Sequence, residues 1–130
     1  MYIFRKFDII KITIIYSEDR TMKISVIGSG SWGTALSQAV VDNGHELRLY
    51  SRSEKSRDEI NNNHTNSRYL KNAILPKEVV ATSSLKEAVE FADVIVIAVP
   101  TKVMREVAKD INEYLERPKF IIHVSKGLEM

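Results

Sequence analysis

At 130 residues the chain is long enough for one domain with a sizeable core and too short for two. Hydrophobic residues make up 44% and charged residues 28%, which excludes a disordered, collagen-like or membrane-spanning chain. A net charge of +2 gives no case for nucleic acid, and the absence of cysteine excludes disulfides, thiolate nucleophiles and Cys-ligated zinc.

The first 21 residues stand apart. Phe4–Tyr16 is rich in β-branched and aromatic residues, but Lys11 interrupts the unbroken apolar stretch of about 7–15 residues that a secretory signal needs. The run is also shorter than the ~20 residues of a membrane-spanning helix. It reads as an extension translated from upstream of a start at Met22, with an added edge strand as the alternative. The expected division is therefore 1–21 as extension and 22–130 as one domain. Lys23–Ile27 then reads as a strand ending in glycine. Trp32, Ala35, Leu36, Ala39 and Val40 recur at helical spacing, and Asn43-Gly44 is a helix stop. Glu46–Ser51 alternates as a strand, Glu54–Asn63 is a solvated helix, and His64–Leu75 is a loop closed by Pro76.

Val79–Thr82 reads as a short edge strand. Ser84 and Glu87 form a capping box ahead of a helix whose face is Leu85, Ala88, Val89 and Ala92. Asp93 opens the run Val94–Val99, stopped by Pro100; without alternation, it is a strand buried on both faces, as in the centre of a parallel sheet. Val103, Met104, Val107, Ala108, Ile111, Tyr114 and Leu115 sustain a helical stripe up to Pro118, and Phe120–Val124 is a last strand. Strand and helix in this alternation predict an α/β fold: a doubly wound parallel sheet with helices on both faces. In such a sheet a ligand lies beyond the carboxyl ends of the strands, where strand order reverses.

Gly28-Ser29-Gly30-Ser31-Trp32-Gly33 follows a strand and opens a helix, the context that turns a bare G-x-G-x-x-G into a dinucleotide-binding signature. Gly28 permits the tight turn, Gly30 the approach of a pyrophosphate, and Gly33 the packing of helix on strand. The N–H groups of Ser31 and Trp32 open a helix, where the dipole favours an anion. A packing turn without ligand is the alternative. At the end of the second strand, where NAD sites carry an acidic residue, stands Ser51-Arg52-Ser53. Arg52 can pair with a 2′-phosphate that a carboxylate would repel, so NADPH is favoured over NADH; Glu54 supports a helix start.

The three histidines have no acid partners in the sequence and form no metal site. His45 reads as a turn residue, His64 as part of a surface loop, and His123 as a satisfied core histidine. Lys126 follows the last strand at its carboxyl end, where an ammonium can approach nicotinamide or an anionic or carbonyl substrate.

Five separated pieces occur together: Gly28-Ser29-Gly30-Ser31-Trp32-Gly33-Thr34-Ala35, Asn43-Gly44-His45, Asn66-Ser67-Arg68-Tyr69-Leu70 with Leu75-Pro76, Ala92-Asp93 leading to Ala98-Val99-Pro100, and Lys126-Gly127-Leu128-Glu129. Over Met22–Met130 the chain resembles the bacterial NAD(P)-dependent glycerol-3-phosphate dehydrogenases, the tryptophan in the glycine loop and the closing K-G-L-E being the most specific features. The resemblance implies reduction of dihydroxyacetone phosphate to sn-glycerol 3-phosphate for phospholipid synthesis, with NADPH or NADH as cofactor. It implies that Ser31, Trp32, Arg52, Tyr69 and Lys126 contact the dinucleotide, that Lys126 also touches substrate, and that the full-length enzyme can be a homodimer in the cytoplasm.

The extension before Met22 lies outside the family pattern. The family's helical carboxyl-terminal domain, with its general acid/base lysine and most substrate contacts, follows K-G-L-E and is not in this sequence. The segment is therefore expected to hold cofactor without turning over, and no catalytic residue is expected within it. A standalone nucleotide-binding module or non-catalytic remnant is the alternative. Another reductase with the same opening domain is a third reading, against which Trp32 and K-G-L-E argue.

Overall fold

A computed structural model of the chain describes residues 2–4 and 21–124. Six parallel strands form one sheet: β1 (Tyr2–Phe4), β2 (Lys23–Ile27), β3 (Glu46–Tyr50), β4 (Val80–Thr82), β5 (Val94–Ile97) and β6 (Phe120–Val124). Among the described residues, four helices lie between the strands from β2 onward: α1 (Ser31–Asp42), α2 (Glu54–Asn63), α3 (Leu85–Phe91) and α4 (Thr101–Tyr114). The strands lie in the order β1-β6-β5-β2-β3-β4. From β2 the chain steps outward through β3 to β4, then crosses back to β5 on the other side of β2. The reversal falls between β2 and β5, whose partners run from Ile24 opposite Val94 to Ile27 opposite Ile97.

The doubly wound arrangement is visible in the packing. Leu36 and Val40 of α1 and Ile60 of α2 share a core with Ile24, Val26, Leu47, Leu49, Val96 and Ile122. Ala88 and Val89 of α3 and Ile111 of α4 share the other with Ile27, Ile95 and Ile97. Alternate residues of one strand feed opposite cores because successive side chains point to opposite faces. Ser25, fully buried on β2, is tolerated because its hydroxyl donates to Ala88 O at 2.6 Å.

Several boundaries differ from the sequence expectation. The strand at Val94 ends at Ile97, and Ala98-Val99 leaves the sheet, although Ala98 N still donates to Ile27 O at 2.8 Å. Helix α4 stops at Tyr114, short of Pro118. Only half of the capping box forms: Ser84 accepts from Glu87 N at 3.1 Å, whereas Ser84 N donates to Thr82 Oγ1, which in turn donates to Glu87. Thr82 thus takes the place that the box gives to the glutamate. At the far end of α3, Lys119 Nζ donates to Val89 O and Glu90 O, the carbonyls a helix leaves unpaired. Burial there, with Arg117 nearby, lowers the Lys119 pKa.

Tyr2–Phe4 pairs in parallel with Ile122–Val124 at the sheet edge, and most of the apolar run Phe4–Tyr16 lies outside the described residues. The histidines are corrected in detail. His45 is buried and accepts from Met22 N at 3.0 Å. His64 caps α2 in the left-handed conformation (φ 59°). His123 is 2% exposed, and neither ring nitrogen has a hydrogen-bond partner among the described residues, so within them it is a core histidine but not a satisfied one. No helix among the described residues is long and apolar enough to cross a membrane.

Candidate functional site

The glycine loop sits at the reversal point. Gly28 has φ +121°, a conformation that an L side chain rarely adopts, and its N–H donates to Tyr50 O at 3.1 Å. A Cβ there would stand 2.4 Å from Ala98 O. At Gly33 a Cβ would stand 1.8 Å from Gly28 O, so α1 presses directly on the loop that precedes it. Gly30 is different. Its φ of −71° suits any residue, and a Cβ would meet nothing nearer than Tyr69 Cε1 at 4.0 Å. Two of the three glycines are demanded by packing, and the middle one leaves a space the fold itself does not use.

Helix α1 begins at Gly30 with no side-chain cap and no acidic residue in its first turn, and α4 begins at Pro100 in the same way. These are the helices that follow the two strands at the reversal. Helices α2 and α3 are instead capped by Ser53 and Ser84 and carry Glu54 and Glu87 in their first turns. The dipole and orphan N–H groups are therefore already answered at α2 and α3, and left for an anion beside the glycine loop.

Around this point lies a cleft of about 590 Å³, within the range of small-ligand sites. Gly28, Ser29 and Gly30 line it with Arg52 and Ser53 from the end of β3, Arg68 and Tyr69 from the loop after α2, and Val99, Val103 and Asp110 from the β5–α4 side. Arg52 is exposed and has no ion-pair partner among the described residues. Behind it, Ser29 Oγ donates to Ser51 Oγ at 2.9 Å, tying the glycine loop to the second strand.

The loop after α2 is pinned to the glycine loop by Asn66, the first residue of the Asn66–Leu70 motif. Asn66 is 1% exposed, and its Nδ2 donates to Ser29 O and to Thr34 Oγ1, each at 2.9 Å. Glu59 accepts from Thr65 Oγ1 at 2.7 Å and Ser67 N at 2.8 Å, and these bonds hold its carboxyl below the usual carboxylate range. Tyr69 is thereby set over Gly30.

Of the expected site residues, Gly28, Gly30, Arg52 and Tyr69 come together on the cleft, and Ser31 and Gly33 lie in the α1 turn beside it. Trp32 is half-buried and packs against the core of the α1 face. Lys126 and the K-G-L-E segment lie outside the described residues. Sequence reasoning missed Asn66 and Arg68 as individual residues; their motif was visible, but nothing local distinguishes a buried asparagine from its exposed neighbours Asn61, Asn62 and Asn63.

A parallel sheet of this order, with a glycine loop and an uncapped helix at its reversal point, defines a Rossmann-type dinucleotide-binding domain. The family model described as the NAD-dependent glycerol-3-phosphate dehydrogenase N-terminus matches residues 23–130, and the chain belongs to that family. It is 49% identical over 107 residues to the glycerol-3-phosphate dehydrogenase (NAD(P)+) of Listeria monocytogenes serotype 4b, covering 82% of this chain and 32% of that protein. It is 50% identical over 107 residues to that of Bacillus anthracis, with the same coverage of 82% and 32%. Among solved structures, glycerol-3-phosphate dehydrogenase from Coxiella burnetii aligns with a TM-score of 0.73 at 30% identity, covering 81% of this chain and 33% of that one. The Plasmodium falciparum enzyme aligns with a TM-score of 0.74 at 33% identity, covering 95% and 35%. The chain thus spans about a third of the length of these relatives.

Proposed function

We propose that this chain is the NAD(P)H-binding part of a glycerol-3-phosphate dehydrogenase interconverting dihydroxyacetone phosphate and sn-glycerol 3-phosphate, with NADPH preferred over NADH. The observation that carries the binding role is the open Cβ position of Gly30, between two glycines that packing closes. When bound, a reduced nicotinamide would supply hydride to the ketone carbon of the substrate. This chain's residues hold and orient: the glycine loop and the first turn of α1 receive the pyrophosphate, Arg52 pairs with a 2′-phosphate at the end of β3, and Tyr69 covers Gly30. Lys126 is assigned to cofactor and substrate by the family motif. The segment alone binds without turning over, because hydride transfer also needs a proton donor at the ketone oxygen and a closed, water-poor cleft. The family's general acid/base lysine belongs to the helical domain that follows K-G-L-E.

Titrating the chain with NADPH and NADH tests this. Arg52→Ala should weaken NADPH binding by about tenfold or more, since a charge-assisted contact to phosphate is lost, and weaken NADH binding much less. Equal losses for both dinucleotides would refute the role given to Arg52. Failure of the unaltered chain to bind either would refute the site.

A further inference from the structure

Arg68 lies on the cleft and is exposed, and the Glu106 and Asp110 carboxylates of α4 also line it. Among the described residues it has no carboxylate partner. Its guanidinium carbon is instead 5.4 Å from the centroid of the Tyr69 ring. Tyr69 Cε1 is in turn the nearest atom to the open Cβ position of Gly30. A run of contacts therefore leads from Gly30 through Tyr69 to Arg68. Its base is fixed by the two Asn66 hydrogen bonds to the glycine-loop side and by the Glu59 bonds to Thr65 and Ser67. A stacked guanidinium keeps its in-plane N–H donors for an anion, and the stacking limits the side-chain freedom lost on binding.

Resting on the reading of this cleft as a dinucleotide site, we infer that Arg68 is a binding residue for the pyrophosphate, the anion that NADPH and NADH share. Arg52, from the end of β3, serves the 2′-phosphate that only NADPH carries. Arg68 lies over the Tyr69 ring, whose edge faces Gly30, the position of pyrophosphate approach, whereas Arg52 stands at the end of β3. The two arginines that line the cleft among the described residues then have separate roles, Arg68 setting affinity for both cofactors and Arg52 setting the choice between them.

The test titrates the 130-residue chain with NADPH and with NADH, following the fluorescence of its single tryptophan, for the unaltered protein, Arg68→Ala and Arg68→Lys. Arg68→Ala should weaken both dinucleotides by the same factor, about tenfold, with thermal unfolding unchanged because the side chain is exposed. It should also flatten the salt dependence of both affinities. Arg68→Lys should recover part of the loss, since the charge remains and the stacked fork does not. A loss confined to NADPH would move Arg68 to the 2′-phosphate and overturn the inference, as would unchanged affinity for both. If the unaltered chain binds neither dinucleotide, the proposed function falls and this inference with it; if it binds and Arg68→Ala has no effect, only the inference falls.

Discussion

Replacing Gly30 with alanine should separate stability from binding. The backbone at Gly30 has φ −71° and ψ −172°, which alanine adopts without strain. The new methyl would touch only Tyr69 Cε1 at 4.0 Å, ordinary van der Waals contact. Such a substitution reduces the freedom of the unfolded chain by about 0.4–1 kcal/mol, which offsets the poorer N-cap preference of alanine at this position. The same methyl, however, occupies the space where the backbone must come close to a pyrophosphate. Gly30→Ala should therefore raise or preserve the urea midpoint while lowering affinity for NADPH and NADH together, read by titration. Gly33→Ala is the contrast. Its methyl would stand 1.8 Å from Gly28 O, roughly half a normal contact distance, and the obstacle is backbone. Helix α1 would have to withdraw from β2, a cost of about 3 kcal/mol or more against a total stability of about 5–15 kcal/mol. Undiminished binding by Gly30→Ala would refute the placement of the pyrophosphate, and a lowered midpoint would refute the claim that the fold does not need this glycine.

Two further outcomes concern the scaffold. His123→Leu removes two buried ring nitrogens that lack partners among the described residues and puts an apolar side chain of similar size in their place, so the urea midpoint should rise, by about 1–3 kcal/mol of stability; a fall would show that the imidazole is satisfied. The Glu59 carboxyl has a folded pKa below its unfolded value, so its stabilising contribution is complete above the unfolded value, about 4.3, and is lost as pH falls through the depressed folded value. Stability measured from about pH 6 to pH 3 should consequently fall more steeply in the unaltered chain than in Glu59→Gln, and parallel curves would refute the role of the charge.

The elements legible in the sequence are those set by neighbours along the chain. The continuous apolar run from Val94 marked β5, Glu54 and the Ser84–Glu87 pair marked helix starts, and the glycine spacing marked the phosphate loop. Periodicity and capping act within a few residues, so a string records them. The ends of β5 and α4 were less legible, because Ala98-Val99 continue the apolar run of the strand and Leu115 continues the stripe of the helix.

Fold class, the position of the loop and the family motif are thus written in the order of the residues. Which glycine is open and which is closed is not. Gly30 and Gly33 are identical letters, and they differ because Gly28 O stands against one and Tyr69 alone approaches the other. Folding also brings Asn66 to Ser29 across 37 positions, sets Arg68 over the Tyr69 ring beside that loop, and buries His123 without partners among the described residues. Most of these depend on an atom far away in the chain. Local preference fixes the shape of a segment, whereas a site is made where segments meet, and burial and hydrogen bonding across those meetings are not written in either segment alone.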